Sequence, residues 1–273
     1  MRKILLLLPL LLCACSKGDN NAWLGYGEGD NVYVSAPSPG WVTGMKVERG
    51  TSVRPGQLLF QLDDTHEAAT RDQATATIAQ DTALIAQEEA NLAYTQKSLS
   101  RQQGLARLNA GVPTTLDQAE ASYRQSQAHI EQLQSQRQQA EAALNDANYQ
   151  LSQRDVIART QGHVEDIYFR NGEYAPASTP VLSILPPENI YVRFFVPETQ
   201  LAKVRLGEKV RISCDGWAKD ITATVTFISQ QEEFTPPVIF SVGNREKLVF
   251  KMEARAPAGI KINPGQPVEV RPL

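Results

Sequence analysis

The chain has 273 residues, 42% of them apolar and 21% charged, with a net charge of -3 and a mean hydropathy of -0.32. That is enough apolar material for more than one core and too little uniform apolarity for a multispanning membrane protein. The acidic balance excludes a general nucleic-acid binder, which needs an excess of Lys and Arg to neutralise phosphates. The averages conceal a block: residues 64–155 hold 18 Ala and 16 Gln, but only two of the 17 Gly and one of the 16 Pro. The helix breakers therefore flank a long helical middle third.

At the N-terminus, Arg2 and Lys3 precede an apolar run over residues 4–12. This has the form of a secretory signal and is far shorter than the ~20 residues that span a bilayer. The run ends in Leu12-Cys13-Ala14-Cys15, which resembles a bacterial lipobox with Cys15 as the acylated first residue of the mature chain. An ordinary cleaved signal with two incidental cysteines is the alternative. Acylation at Cys15 would give stable membrane attachment without a transmembrane helix. The mature chain would then hold Cys15 and Cys214, leaving no internal disulfide. Cys214 ends a strand-like run and is expected to be a small packed side chain rather than a reactive thiol.

Residues 64–155 read as two helical arms. Asp64 with Glu67 three residues on gives a capping-box start. The first arm runs to about Leu108. Its Ala76, Ala79, Ala83, Ala86, Ala90 and Ala93 form a stripe beside Ile78, Ile85, Leu92 and Leu99, which recur every seven residues. The heptad pattern predicts a coiled coil, with the Ala stripe expected at the seam. Asn109-Ala110-Gly111-Val112-Pro113 breaks the pattern, and Thr114 is placed as the cap of a second helix with Asp117 in its first turn. The second arm's seam reads Ala119, Tyr123, Ser126, Ile130, Leu133, Arg137, Ala140, Leu144, Ala147 and Leu151. Two such arms joined by a short turn fold back antiparallel. A rod of this kind has almost no interior for a ligand, so its informative places are its far tip and outer faces.

The segments on either side match each other at an offset of 122. Ala36, Gly40, Val42 and Gly50 fall on Ala158, Gly162, Val164 and Gly172, while Met45, Val47, Leu59, Phe60 and Leu62 fall on Ile167, Phe169, Val181, Leu182 and Ile184. Each half therefore reads as one series of strands and turns, with the hairpin between them.

The first half, through Gly40-Trp41-Val42, Val47-Glu48-Arg49-Gly50 and Gly56-Gln57-Leu58-Leu59-Phe60, resembles the first biotinyl/lipoyl half-motif of the HlyD-type periplasmic adaptors, or membrane fusion proteins. Residues 158–185, with Gly162, Gly172 and Thr179-Pro180-Val181-Leu182, resemble the second. The resemblance implies a mixed α and β multidomain chain. Residues 1–15 would be the signal and lipidated Cys, and 16–34 a linker and first strand. Residues 35–63 and 156–185 would form a lipoyl-like β-sandwich, 64–155 an antiparallel coiled-coil hairpin inserted in it, and 186–273 a small β-barrel. A biotinylated carrier is the competing reading of Met45-Lys46-Val47, but Lys46 does not lie at a turn between the halves.

In the last third, residues 190–196, 208–214, 221–228, 248–254 and 268–271 alternate as strands, and Pro197-Glu198 opens a short helix. Glu233-Phe234-Thr235-Pro236-Pro237, with Arg245 and Leu248-Val249-Phe250, resembles the barrel of short adaptors that serve ABC-type exporters. The longer adaptors of proton-driven pumps carry a further membrane-proximal domain, for which the sequence leaves no room after the last barrel strand. The resemblance also implies partners: an ABC-type exporter in the inner membrane, a TolC-like outer-membrane channel, and further copies of the chain in a ring of six. At the hairpin tip the family commonly carries an Arg, a Leu and a Ser that meet the channel. Arg101 and Leu105 occupy the first two positions. Thr114 is the candidate for the third, with helix capping as its alternative role.

Catalysis finds no support in the sequence. His66, His129 and His163 are scattered, and no phosphate loop, paired metal-ligand spacing or nucleophile elbow occurs. No enzyme activity, cofactor or metal is expected. Ser16 after Cys15 favours outer-membrane sorting under the enterobacterial convention, whereas an adaptor's barrel belongs beside its exporter, so the inner membrane is the expected address. The adaptor of a proton-driven pump, or a coiled-coil lipoprotein that merely spaces membranes, are the alternatives.

Overall fold

The computed structural model describes residues 22–214, 220–234, 248–257 and 262–273. The signal and Cys15, and the positions 235–237 and Arg245, lie outside them. In chain order the strands are β1 (Trp23–Gly29), β2 (Val32–Ser35), β3 (Gly40–Met45), β4 (Ser52–Val53) and β5 (Leu58–Leu62). Helices α1 (Thr65–Arg107) and α2 (Pro113–Ser152) follow. Then come β6 (Asp155–Ile157), β7 (Gly162–Ile167), β8 (Tyr174–Ala175), β9 (Pro180–Leu185), β10 (Ile190–Pro197), β11 (Lys209–Ser213), β12 (Ile221–Phe234), β13 (Leu248–Arg255) and β14 (Pro267–Pro272). They divide into two compact units. One joins the N-terminal segment through Val32 to Leu185–Leu273, and the other is Tyr33–Ile184.

The second unit is a sandwich of two four-stranded sheets, ordered β2-β9-β7-β4 and β6-β5-β3-β8. Adding 122 to a residue number carries one sheet onto the other, down to single hydrogen bonds. Gly50 donates its N–H to Val164 O at 2.7 Å, and Gly172 to Val42 O at 2.8 Å; Gly56 donates to Ala158 O, and Ser178 to Ala36 O. Backbone strain repeats as well. Gly50 and Gly172 have φ of 83° and 86°, and Gly56 and Ser178 have 85° and 61°. These left-handed turns bring each half back to pair with the other. The core draws equally on both: Phe60 and Leu182 are wholly buried, as are Leu59 and Val181, and Val42 and Val164 nearly so. The offset of 122 in the sequence is thus a pseudo-twofold repeat in space.

The hairpin grows from the edge of this sandwich. Its 43-residue and 40-residue helices are about 65 and 60 Å long at 1.5 Å per residue. In α2 every seam residue expected from the heptads is at least half-buried, with Ser126, Leu133, Ala140 and Ala147 buried. In α1 the expectation fails for half of the pattern. Ile78, Ile85, Leu92 and Leu99 do face the seam, but the Ala stripe from Ala76 to Ala93 is exposed throughout. The second seam row is instead Ala74, Asp81, Glu88, Thr95 and one more polar residue, Gln102. Alanine stabilises a helix on either face, so its spacing does not mark burial.

At the hairpin root the expected capping box is replaced by a tertiary contact. Asp64 is the N-cap but makes no side-chain cap bond. Asp63 Oδ1 accepts from the Thr65 hydroxyl and N–H, and these bonds hold its carboxyl below the usual range. Glu67 pairs with Arg154, just past α2, and Arg154 also donates to Pro39 O. Burial pushes Glu67 up, yet the guanidinium outweighs it and leaves the carboxyl below its ordinary value. Both ends of the hairpin and the sandwich edge are thereby tied at one point.

The first unit is a closed six-stranded barrel ordered β1-β10-β13-β12-β11-β14. β1, placed with the linker in the sequence reading, closes the ring between β10 and β14. Its inward positions are Trp23, Gly25 and Gly27. A Cβ on Gly25 would stand 2.5 Å from Arg193 O, and one on Gly27 2.5 Å from Asn263 O, so glycine lets the strand approach a crowded interior. Phe194, Met252, Ile212 and Val270 fill the core. Cys214, just past β11, is half-buried: its thiol donates to Pro267 O at 3.2 Å, and the Gln266 amide lies 3.0 Å from the sulfur.

Candidate functional site: the hairpin tip and its polar layer

The tip is residues 108–112, closed by a Schellman motif. Asn109, at φ 57°, donates to Ala106 O, and Ala110 donates to Leu105 O at 3.1 Å. These bonds satisfy the last carbonyls of α1 and turn the chain back in the fewest residues. Arg107 in the last turn complements the helix dipole. A Cβ on Gly111 would lie 3.0 Å from Ala106 N, so this position passes directly over the helix end.

Helix α2 begins two residues earlier than expected. Val112 is its N-cap and Pro113 its first residue, so Thr114 is not the cap. Proline supplies the helical φ and lacks the N–H that would go unpaired. No side chain caps this end; the Thr115 hydroxyl donates to Val112 O at 2.7 Å, a carbonyl that also accepts the Thr115 and Leu116 N–H groups. Asp117 consequently falls outside the first turn. Thr114 is exposed and without a capping bond.

Arg101 and Leu105 lie in the last two turns of α1, both exposed, Leu105 at 38%. Leu108, exposed at 77%, and Val112, at 58%, join Leu105 to make an apolar tip. Sequence reasoning treated residues 109–113 only as a break and missed these two. The available signal was a Leu and a Val flanking a turn otherwise built from small residues.

Further down the rod, the polar seam row meets α2 in a hydrogen-bonded layer. Asn91 Nδ2 donates to Ser126 Oγ at 3.0 Å and to Glu88 Oε1 at 2.9 Å. His129 Nδ1 stands 3.2 Å from Glu88 Oε2. Bonds from Asn91, then Ser126 and His129, hold the Glu88 carboxyl below its ordinary value. A polar layer in a coiled coil fixes register, since any slip leaves its members unpaired. Because Glu88 is depressed in the folded state, its contribution is present above the unfolded pKa of about 4.3 and is lost as pH falls through the lower folded value. The hairpin's melting temperature should therefore drop on acidification below about pH 4. In Glu88→Gln, helix circular dichroism should show a smaller drop. An unchanged acid limb would mean the layer carries no register energy.

The three histidines lie apart. His129 is in this layer, His163 Nδ1 is 3.0 Å from Ser52 Oγ on the sandwich surface, and His66 lines a shallow groove at the hairpin root with Thr70 and Asp146. Lys46 is exposed just beyond β3, its N–H bonded to Leu59 O as Tyr168 N–H is to Val181 O. Among the described residues no group of His, Cys, Asp or Glu is arranged to hold a metal. No described helix is long and apolar enough to cross a membrane.

An antiparallel helical hairpin set into a pseudo-twofold lipoyl-like sandwich, with a small β-barrel in the same chain, defines the fold of the periplasmic adaptors, or membrane fusion proteins. The solved structure of MacA from Actinobacillus actinomycetemcomitans matches it with a TM-score of 0.70, covering 92% of this chain and 78% of that one at 18% identity. No protein-family model matches the chain. A UPF0194 membrane protein of Acidithiobacillus ferridurans is 32% identical over 128 residues, which is 46% of this chain and 38% of that protein. The multidrug export protein EmrA of Escherichia coli is 28% identical over 113 residues, 40% of this chain and 29% of EmrA. The chain thus spans about a third of the length of these relatives. In fold and in sequence the chain is similar to the HlyD-type periplasmic adaptors.

Proposed function

We propose that the chain is the periplasmic adaptor of a tripartite export system. It joins an ABC-type exporter in the inner membrane to a TolC-like channel in the outer membrane, as a ring of six copies held to the inner membrane through acylated Cys15. The hairpin spans the periplasm, and Arg101, Leu105 and Thr114 dock on the channel. The lipoyl-like sandwich and barrel form the sealed conduit, and the adaptor itself performs no catalysis. The observation that carries the reading is the tip: Leu105, Leu108 and Val112 stand exposed beside Arg101 at the end of a rod whose own seam is closed. Exposed apolar residues clustered with an unpaired cation mark an interaction site.

The reading is tested by mild crosslinking in cells and purification of the chain. An ABC-type exporter and a TolC-like channel should both accompany it. A lipoprotein that merely spaces membranes would bring neither. The same preparation should show Lys46 unmodified by mass spectrometry, and biotin or lipoate there would establish a carrier instead.

A further inference from the structure

We propose that the barrel docks on an anionic phospholipid bilayer through Lys203, Arg205, Leu206, Lys209 and Arg211, an inference that rests on Cys15 being the lipid anchor. Trp23 opens β1, and its indole donates to Gln200 Oε1 at 2.9 Å in the 3-10 helix Glu198–Lys203. The chain therefore enters the barrel against this helix. Eight residue steps separate Trp23 from Cys15, a reach of at most about 28 Å at 3.5 Å per residue. The 3-10 helix and the turn next to it are thus kept close to the acyl chains.

That turn is basic and tipped by an apolar side chain. Glu208 N–H bonds Arg205 O at 3.1 Å, and Gly207 has φ 83°, so Leu206 occupies the outer corner, 68% exposed. The turn is fastened to the barrel by Gly207 N–H on Val225 O at 2.9 Å. Beyond it Lys209 and Arg211 point outward between the buried Val210 and Ile212. Of the acids nearby, Glu208 accepts the Arg205 N–H, Asp220 stands 3.9 Å from Arg211, and Glu269 on the paired strand β14 is held by Arg271 at 2.9 Å; Glu198 lies in the 3-10 helix. A single exposed Leu needs no explanation. A Leu held at the apex of a turn fastened to the barrel, with four cations within nine residues and a tether of at most about 28 Å to the anchor, fits an anionic interface. The side chain enters the headgroup boundary while the cations meet lipid phosphates.

The test uses the full acylated chain in vesicles of phosphatidylcholine with or without phosphatidylglycerol. A dye on Leu206→Cys, in a Cys214→Ser background, reports depth through quenching by brominated lipid. Quenching should appear with phosphatidylglycerol and fade in roughly 0.5 M salt, where screening shortens the reach of the lipid charge. The docked-to-free ratio should fall about fivefold for each of Lys203→Gln and Arg205→Gln. Vesicle flotation that persists without any quenching, or quenching indifferent to anionic lipid and salt, would overturn the docking surface and leave the anchor standing. A chain that fails to float even with phosphatidylcholine vesicles would remove the anchor, and with it this proposal.

Discussion

A chain carrying Arg101→Glu is expected to accumulate, fold and assemble as the wild type does, and to export nothing. Arg101 is exposed and makes no hydrogen bond or ion pair among the described residues. Reversing such a charge on a helix surface changes stability by about 0.5 kcal/mol or less. At an interface the effect is of another order. Removing one partner of a docked charge pair costs about 2–5 kcal/mol, and reversal adds repulsion to that loss. Docking on the channel should weaken by at least ~30-fold. Drug susceptibility or secretion reads the export, and blotting and gel filtration read abundance and oligomer size. Wild-type export by this variant would dismiss Arg101 as a docking residue.

The largest effect on stability is expected at the centre of the pseudo-twofold core. Phe60→Ala should destabilise the sandwich by about 3–5 kcal/mol, and Leu182→Ala, its equivalent at an offset of 122, by about 2–5 kcal/mol. Both side chains are wholly buried in a core that each half supplies equally, so neither loss has a neighbour free to fill the cavity. Trp41→Ala is the control: its ring is 53% exposed, meeting Tyr174 edge-on at 5.4 Å, and its loss should cost under about 1.5 kcal/mol. Urea denaturation of the three variants makes the comparison. A loss at Phe60 below about 1 kcal/mol, far under the usual cost of such a cavity, would show that the two halves do not share one core.

The repeat was legible in the sequence because its glycines and apolar positions answer to the same turns and the same core in both halves. The seam of α2 was legible because large apolar residues dominate it. The seam of α1 was only half legible. Asp81, Glu88, Thr95 and Gln102 belong to it, and Glu88 is satisfied there by Ser126 and His129 on α2. That information lies in the pairing of the arms and in neither arm alone. Thr114 was misplaced for a related reason. Hydroxyl residues follow one another at the second arm's start, and Pro113 decides where the helix begins. β1 hid its role because the crowded barrel interior demands glycine where a strand pattern would show Val or Ile.

In the proposed function one chain reaches from an inner-membrane exporter to an outer-membrane channel. A photocrosslinking residue placed in living cells at Leu108, and in a second strain at Leu206, tests it most directly. The Leu108 probe is expected to be captured by a TolC-like outer-membrane protein, and the Leu206 probe to give adducts only with inner-membrane lipid or protein. Capture of both probes in the same membrane would contradict it.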